Sequence, residues 1–166
     1  MSSAEQFDEF VAAYGSRLVR TAYLLTGNWA DAEDAVQSAL LGCYRRWRRV
    51  DVHLDPAGYV YRSIVNATID LRRRPWRREV LSDETYDSAD ADRSEAVADR
   101  LDLLAALQSL PARQRAAVVL RFWDDLSVRQ VAELLDCPGE TVRTHTARGL
   151  EHLRRVVRNP EGQESK

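Results

Sequence analysis

Cysteine, lysine and long apolar runs are what this sequence has least of, and each shortage excludes something. Two cysteines, Cys43 and Cys137, are too few for a disulfide framework. Each falls in a helical or turn pattern that takes a small apolar residue, so both read as reduced structural thiols. No apolar run approaches the ~18 residues that a membrane span needs. The opening MSSAEQFDEF has neither the basic nor the apolar region of a signal peptide, and the chain is expected to stay in the cytoplasm. The three histidines, His53, His145 and His152, are scattered and share no metal-ligand spacing with the cysteines. A Gly-rich phosphate loop is also missing. Neither a metal, a cofactor nor a small-molecule substrate is expected, and the chain is not read as an enzyme.

What is present is arginine, unevenly spread. The formal net charge is only −2, and Lys166 is the single lysine. Yet Arg45 to Arg78 holds ten arginines against Asp51, Asp55 and Asp70, and Thr141 to Arg158 holds five against Glu151 alone. Between them, Glu79 to Asp99 carries eight acids and only Arg93. Two basic blocks on an acidic tether suit two modules that bind a polyanion.

The apolar pattern is helical throughout. Phe7, Phe10, Val11, Tyr14, Leu18, Ala22 and Leu25 recur at three- and four-residue steps toward Gly27. Ala32, Ala35, Val36, Ala39, Leu40, Cys43 and Trp47 repeat that spacing behind acids that suit a helix N-terminus. Asp55 and Pro56 are an N-cap and a first-turn residue, followed by Val60, Ile64, Ala67 and Leu71; Pro75 ends this third helix. The stretch from Leu81 to Ala96 is polar, acidic and aperiodic, a flexible linker. Beyond it Leu101, Leu104 and Leu107 mark one helix, and Pro111 opens another that carries Ala116, Val119, Leu120 and Trp123. Ser127 caps a third, and a long helix holds Val142, Thr146, Leu150, Leu153 and Val157. The expected fold class is all-α, with two small helical domains: a three-helix N-terminal bundle and a four-helix C-terminal domain.

Residues 126 to 154, LSVRQVAELLDCPGETVRTHTARGLEHLR, carry the strongest local motif. Ala132 is the small residue at a helix crossing, Asp136 takes the turn, and Val142, ten residues after Ala132, packs the second helix on the first. That spacing is a helix-turn-helix, whose second helix enters the major groove. Asp136 stands where Gly is common, and Asp tolerates a left-handed backbone better than most residues. Thr141, Arg143, Thr144, His145 and Arg148 are the candidate DNA contacts; Arg pairs bidentately with guanine, and Thr meets phosphate or a thymine methyl.

Taken together, three segments resemble the extracytoplasmic-function (ECF) sigma factors of the sigma-70 family, in particular the actinobacterial SigE-type group. DAEDAVQSALLGCYRRW, from Asp31, resembles the region that docks on the polymerase clamp. DPAGYVYRSIVNATIDLRRR, from Asp55, looks like the region that melts the promoter and reads its minus-ten element. LPARQRAAVVLRFWDDLSVRQVAELL with the following helix is similar to the domain that reads the minus-thirty-five element. The resemblance implies a region 2-like domain over 4–78, an acidic linker over 79–98 and a region 4-like domain over 99–158. It implies that Asp34 and Gln37 contact core polymerase, and that Asn66 and Asp70 face minus-ten DNA. His53 and Leu54 would line a pocket for a flipped base, with Arg62, Arg72, Arg73 and Arg74 on phosphates. The implied partners are the clamp and flap of RNA polymerase core, promoter DNA and an anti-sigma factor, which in this family is commonly membrane-anchored. Two other readings remain: a LuxR-like regulator, because TVRTH resembles that recognition helix, and a helical adaptor that uses its tryptophans as anchors.

Overall fold

A computed structural model describes residues 1–49, 52, 54–73 and 95–158, with side chains at 71–73 and 95–97 left out. Seven α-helices account for nearly all of it, and no strand occurs among the described residues. Helix α1 (Ser3–Thr26) starts on a capping box: the Glu5 N–H donates to Ser2 Oγ at 3.2 Å, and the Ser2 N–H to Glu5 Oε2 at 2.7 Å. It stops where the periodicity predicts, at Gly27, whose φ of 73° is a left-handed cap. The left-handed backbone is what demands glycine there, since a Cβ would meet only the flexible end of the Gln108 side chain. Helix α2 (Trp29–Arg45) is capped by Asn28, and helix α3 (Pro56–Arg73) by Asp55, whose Oδ1 accepts from the Gly58 N–H at 2.9 Å.

The predicted stripes of these three helices meet. Leu18, Ala22 and Leu25 pack with Ala32, Val36, Ala39 and Cys43 and with Val60, Ile64 and Val65, all buried. Each Leu or Ile shut from water in this way contributes roughly 1.5–3 kcal/mol. Trp47, just past α2, closes one end against Phe7 and Phe10, with ring centroids 5.2 and 5.7 Å away. Burial pushes the Cys43 thiol up to about 11, which keeps it protonated and unreactive at neutral pH.

The C-terminal unit comprises α4 (Glu95–Gln108), α5 (Ala112–Val118), α6 (Val128–Leu135) and α7 (Gly139–Arg158). Helix α4 takes in residues 95–98 of the expected linker, so that segment ends earlier than its composition suggested; 79–94 lie outside the described residues. Of the three leucines that marked α4, Leu107 is buried, while Leu101 is largely exposed. Helix α5 runs on into a π turn, Val119–Trp123, closed by the Asp124 N–H on the Val119 carbonyl at 3.2 Å. The extra residue in that turn shifts the side chains that follow, a distortion often found where a helix carries a task.

The helix-turn-helix has the expected geometry. Ser127 and Gln130 form a second capping box at the start of α6. Asp136 is left-handed at φ 52°, and Val131, Leu134, Leu135 and Val142 are buried where the two helices meet. The spacing gave no warning of Gly149, where α7 crosses α5: a Cβ there would come within 2.7 Å of Val118 Cγ2. Gly→Ala inside a helix ordinarily stabilises by about 1 kcal/mol. Here overpacking, typically about 1–3 kcal/mol, reverses the sign, and Gly149→Ala lowers the urea midpoint. A more stable variant would show that Val118 yields without cost.

The two units pack against each other. Gln108 donates to the Leu24 carbonyl at 2.9 Å. The buried Arg115 of α5 joins carbonyls at two helix C-termini: Nη1 to Leu25 at 2.9 Å, Nε to Leu107 at 2.7 Å, and Nη2 to Gln108 and Leu110 at 3.1 and 2.6 Å. These are carbonyls that a helix end leaves without an intrahelical donor, and a planar guanidinium reaches several of them at once.

Candidate nucleic-acid interface

Helix α7 presents one clean polar face. Arg143, Thr144, Ala147 and Arg148 are exposed and Thr141 is half-buried, while Val142 and Gly149 on the opposite side are buried. The Thr144 hydroxyl donates to the Glu140 carbonyl at 3.0 Å, which commits its proton to the helix and leaves its methyl for an apolar contact. His145, also expected among these contacts, lies at the border of that face. It lies three residues after Val142 and four before Gly149, and so falls toward the packed side of the helix. The ring is half-buried, its Nδ1 shut in with no hydrogen-bond partner. Burial, then the charges of Arg113 and Arg148, lower its pKa, so the ring stays neutral.

On α3, Arg62, Asn66 and Asp70 are all exposed. Four-residue spacing lines them up on one side, while Val60, Ile64 and Val65 fill the core behind. Leu54, just before the helix, is exposed. His53, Arg74 and Trp76, and the side chains of Arg72 and Arg73, lie outside the described residues. Two tyrosines two residues apart on this helix differ sharply. Tyr59 is half-buried, and Arg46 covers its ring at 5.7 Å and donates to its hydroxyl. Tyr61 is buried, and its hydroxyl donates to Asp124 Oδ1 at 3.0 Å.

The two residues expected on polymerase, Asp34 and Gln37, are exposed on α2. Leu41 and Tyr44, half-exposed, continue the same steps of three and four. Large apolar side chains on an outer helix face suit a protein partner better than DNA. Sequence reasoning passed over Leu41 and Tyr44, although their spacing from Gln37 was there to read.

Both units match known proteins. A family model described as Sigma-70 region 2 matches residues 10–78, and one described as Sigma-70, region 4 matches residues 100–153. The RNA polymerase sigma-E factor of Streptomyces avermitilis is 33% identical over 150 residues, 90% of this chain and 83% of that protein. The ECF RNA polymerase sigma factor SigM of Mycobacterium tuberculosis is 30% identical over 152 residues, covering 91% and 76%. Among solved structures, the sigma factor RpoE of Bartonella quintana, crystallised with the anti-sigma factor NepR, superposes with a TM-score of 0.71. It is 20% identical, over 93% of this chain and 98% of that one, so it speaks for the fold.

Proposed function

This chain belongs to the sigma-70 family of RNA polymerase sigma factors, in its ECF group, and on that premise we propose how its surfaces divide the work of promoter-specific initiation. Sigma factors are non-enzymatic initiation factors, and the proposed mechanism is recognition throughout. The N-terminal unit, 4–78, docks on core polymerase through the α2 stripe of Asp34, Gln37, Leu41 and Tyr44. The same unit engages the minus-ten element through α3. Amide and carboxylate groups at Asn66 and Asp70 suit the Watson–Crick edges of unstacked bases, which duplex readers cannot reach. Arg62 and the arginines after Asp70 neutralise phosphates. Residues 79–98 serve as the acidic tether, less the first turn of α4. The C-terminal unit, 99–158, reads the minus-thirty-five element with Arg143, Thr144 and Arg148 of α7. The work is cytoplasmic, and an anti-sigma protein that covers these faces is the regulator.

The observation that carries this reading is that exposed faces on α2, α3 and α7 are each backed by buried core, so their outward residues can meet partners. The test is transcription in vitro: core polymerase with this chain initiates at a promoter that core alone ignores. Asn66→Ala leaves closed complexes near normal but lowers permanganate reactivity of minus-ten thymines on duplex templates, and a pre-melted template restores part of it. Wild-type reactivity in the mutant removes Asn66 from the site.

A further inference from the structure

The outward side of α7 is edged by arginine but is not charged at its centre. With ~3.6 residues per turn, each residue advances about 100° round the helix axis. Val142 and Gly149, both buried, then fall within about 20° of each other and fix the inward direction. Measured from Arg143, the outward side runs through Ala147 at about 40°, Thr144 at about 100° and Arg148 at about 140°, and all four are exposed. The direction opposite Val142 and Gly149 lies at about 70°, midway between Ala147 and Thr144. The strip that goes deepest into a major groove is therefore Ala147 and Thr144, and the two guanidiniums stand at its flanks.

Those two side chains offer methyl groups. Ala147 has only its Cβ. The Thr144 hydroxyl donates to the Glu140 carbonyl at 3.0 Å, so its one proton is used within the helix and Cγ2 is left to meet a base. The neighbouring threonines do not share this position. Thr141 is half-buried, and Thr146, whose hydroxyl donates to the Val142 carbonyl at 2.7 Å, lies on the core side. In the major groove only thymine presents a methyl group of its own. Cβ atoms three residues apart on a helix are about 5–6 Å from each other, which suits the methyls of consecutive thymines, stepped ~3.4 Å along a strand and turned by the twist of the duplex.

We propose that Thr144 and Ala147 read the methyl groups of two consecutive thymines in the minus-thirty-five element, flanked by guanines for Arg143 and Arg148. The inference rests on the assignment of α7 to that groove and adds which bases it selects there.

The experiment uses holoenzyme assembled from core polymerase and the full chain. Selection of initiating templates from a library randomised over minus-thirty-five yields a preferred element. Each thymine in it, on either strand, is then replaced singly by deoxyuridine, which removes the methyl and keeps the base pairing. Wild type loses about fourfold in binding at each of two adjacent thymines and nothing at the others. Fourfold is the ~0.8 kcal/mol of one buried methylene-sized group, at about 1.4 kcal/mol per tenfold. Thr144→Ser retains the hydroxyl that bonds the Glu140 carbonyl and loses only the methyl. It therefore binds thymine and deoxyuridine equally at one of the two positions and still discriminates at the other. Ala147→Gly does the converse, and circular dichroism checks that its helix is intact. A preferred element without adjacent thymines, or a wild type indifferent to every replacement, would overturn the methyl readout and leave α7 in the groove. Equal sensitivity in wild type and Thr144→Ser would overturn it too, because deoxyuridine would then act through the shape of the duplex. A holoenzyme that initiates with no preference at minus-thirty-five would overturn the placement of α7 itself, and the methyl readout with it.

Discussion

Arg115→Met will cost about 3–5 kcal/mol of folding stability, because it strips donors from several buried carbonyls at once. The side chain is 1% exposed, and it donates to the Leu25, Leu107, Gln108 and Leu110 carbonyls. Methionine fills similar space but donates nothing, and each buried acceptor so abandoned costs about 1–3 kcal/mol. Arg115→Lys keeps the charge and still loses most of this, because a single ammonium on a flexible stem cannot reproduce a planar fork. For a chain of this size the melting temperature should fall by roughly 6–20 °C, at about 2–4 °C per kcal/mol. Thermal and urea unfolding of both variants measure it. A methionine variant within 1 kcal/mol of wild type would mean that water reaches these helix ends and that the guanidinium is dispensable.

Removing Arg143 and Arg148 together should reduce discrimination of the minus-thirty-five element on the order of 10²–10⁴-fold, taking about 1–3 kcal/mol for each bidentate base contact. The two are exposed on the same helix face, and Val142 and Gly149 hold that helix in place from behind, so the double alanine variant keeps its fold. Competition between a cognate and a scrambled minus-thirty-five sequence, with holoenzyme, reads the effect directly. Binding to core should be unchanged, since the stripe proposed for polymerase lies on α2. Uniform weakening on every sequence, with a flatter dependence on salt, would instead identify both arginines as phosphate contacts. Unchanged preference and unchanged salt slope would mean that another face of α7 meets the groove.

Much of the fold was legible because its signals are local. Asp55 before Pro56 and Ser127 cap helices from neighbours within three residues, so the contacts are written side by side in the chain. The stripes through Leu18, Val36 and Ile64 state which face of each helix must be hidden. The polar face of α7 was read by exclusion, once Val142 was committed to the core. His145 shows the limit of that step: it sits at the border of the face, and only the arrival of α5 on α7 decides which way the border falls. Tyr59 and Tyr61 make the same point, since two tyrosines two residues apart carry one local signature and have opposite fates.

By itself the sequence determined the helices, their inward faces and the helix-turn-helix, because each of these depends on residues close together in the chain. Tertiary structure alone decided that Arg115 and Asp124 lie inside, that Gly149 is a helix crossing and that the two units meet. In a sequence an arginine or an aspartate reads as solvated. Whether it is buried depends on partners such as Leu25 and Thr21, some 90 and 103 residues away, which bring the hydrogen bonds that make burial tolerable.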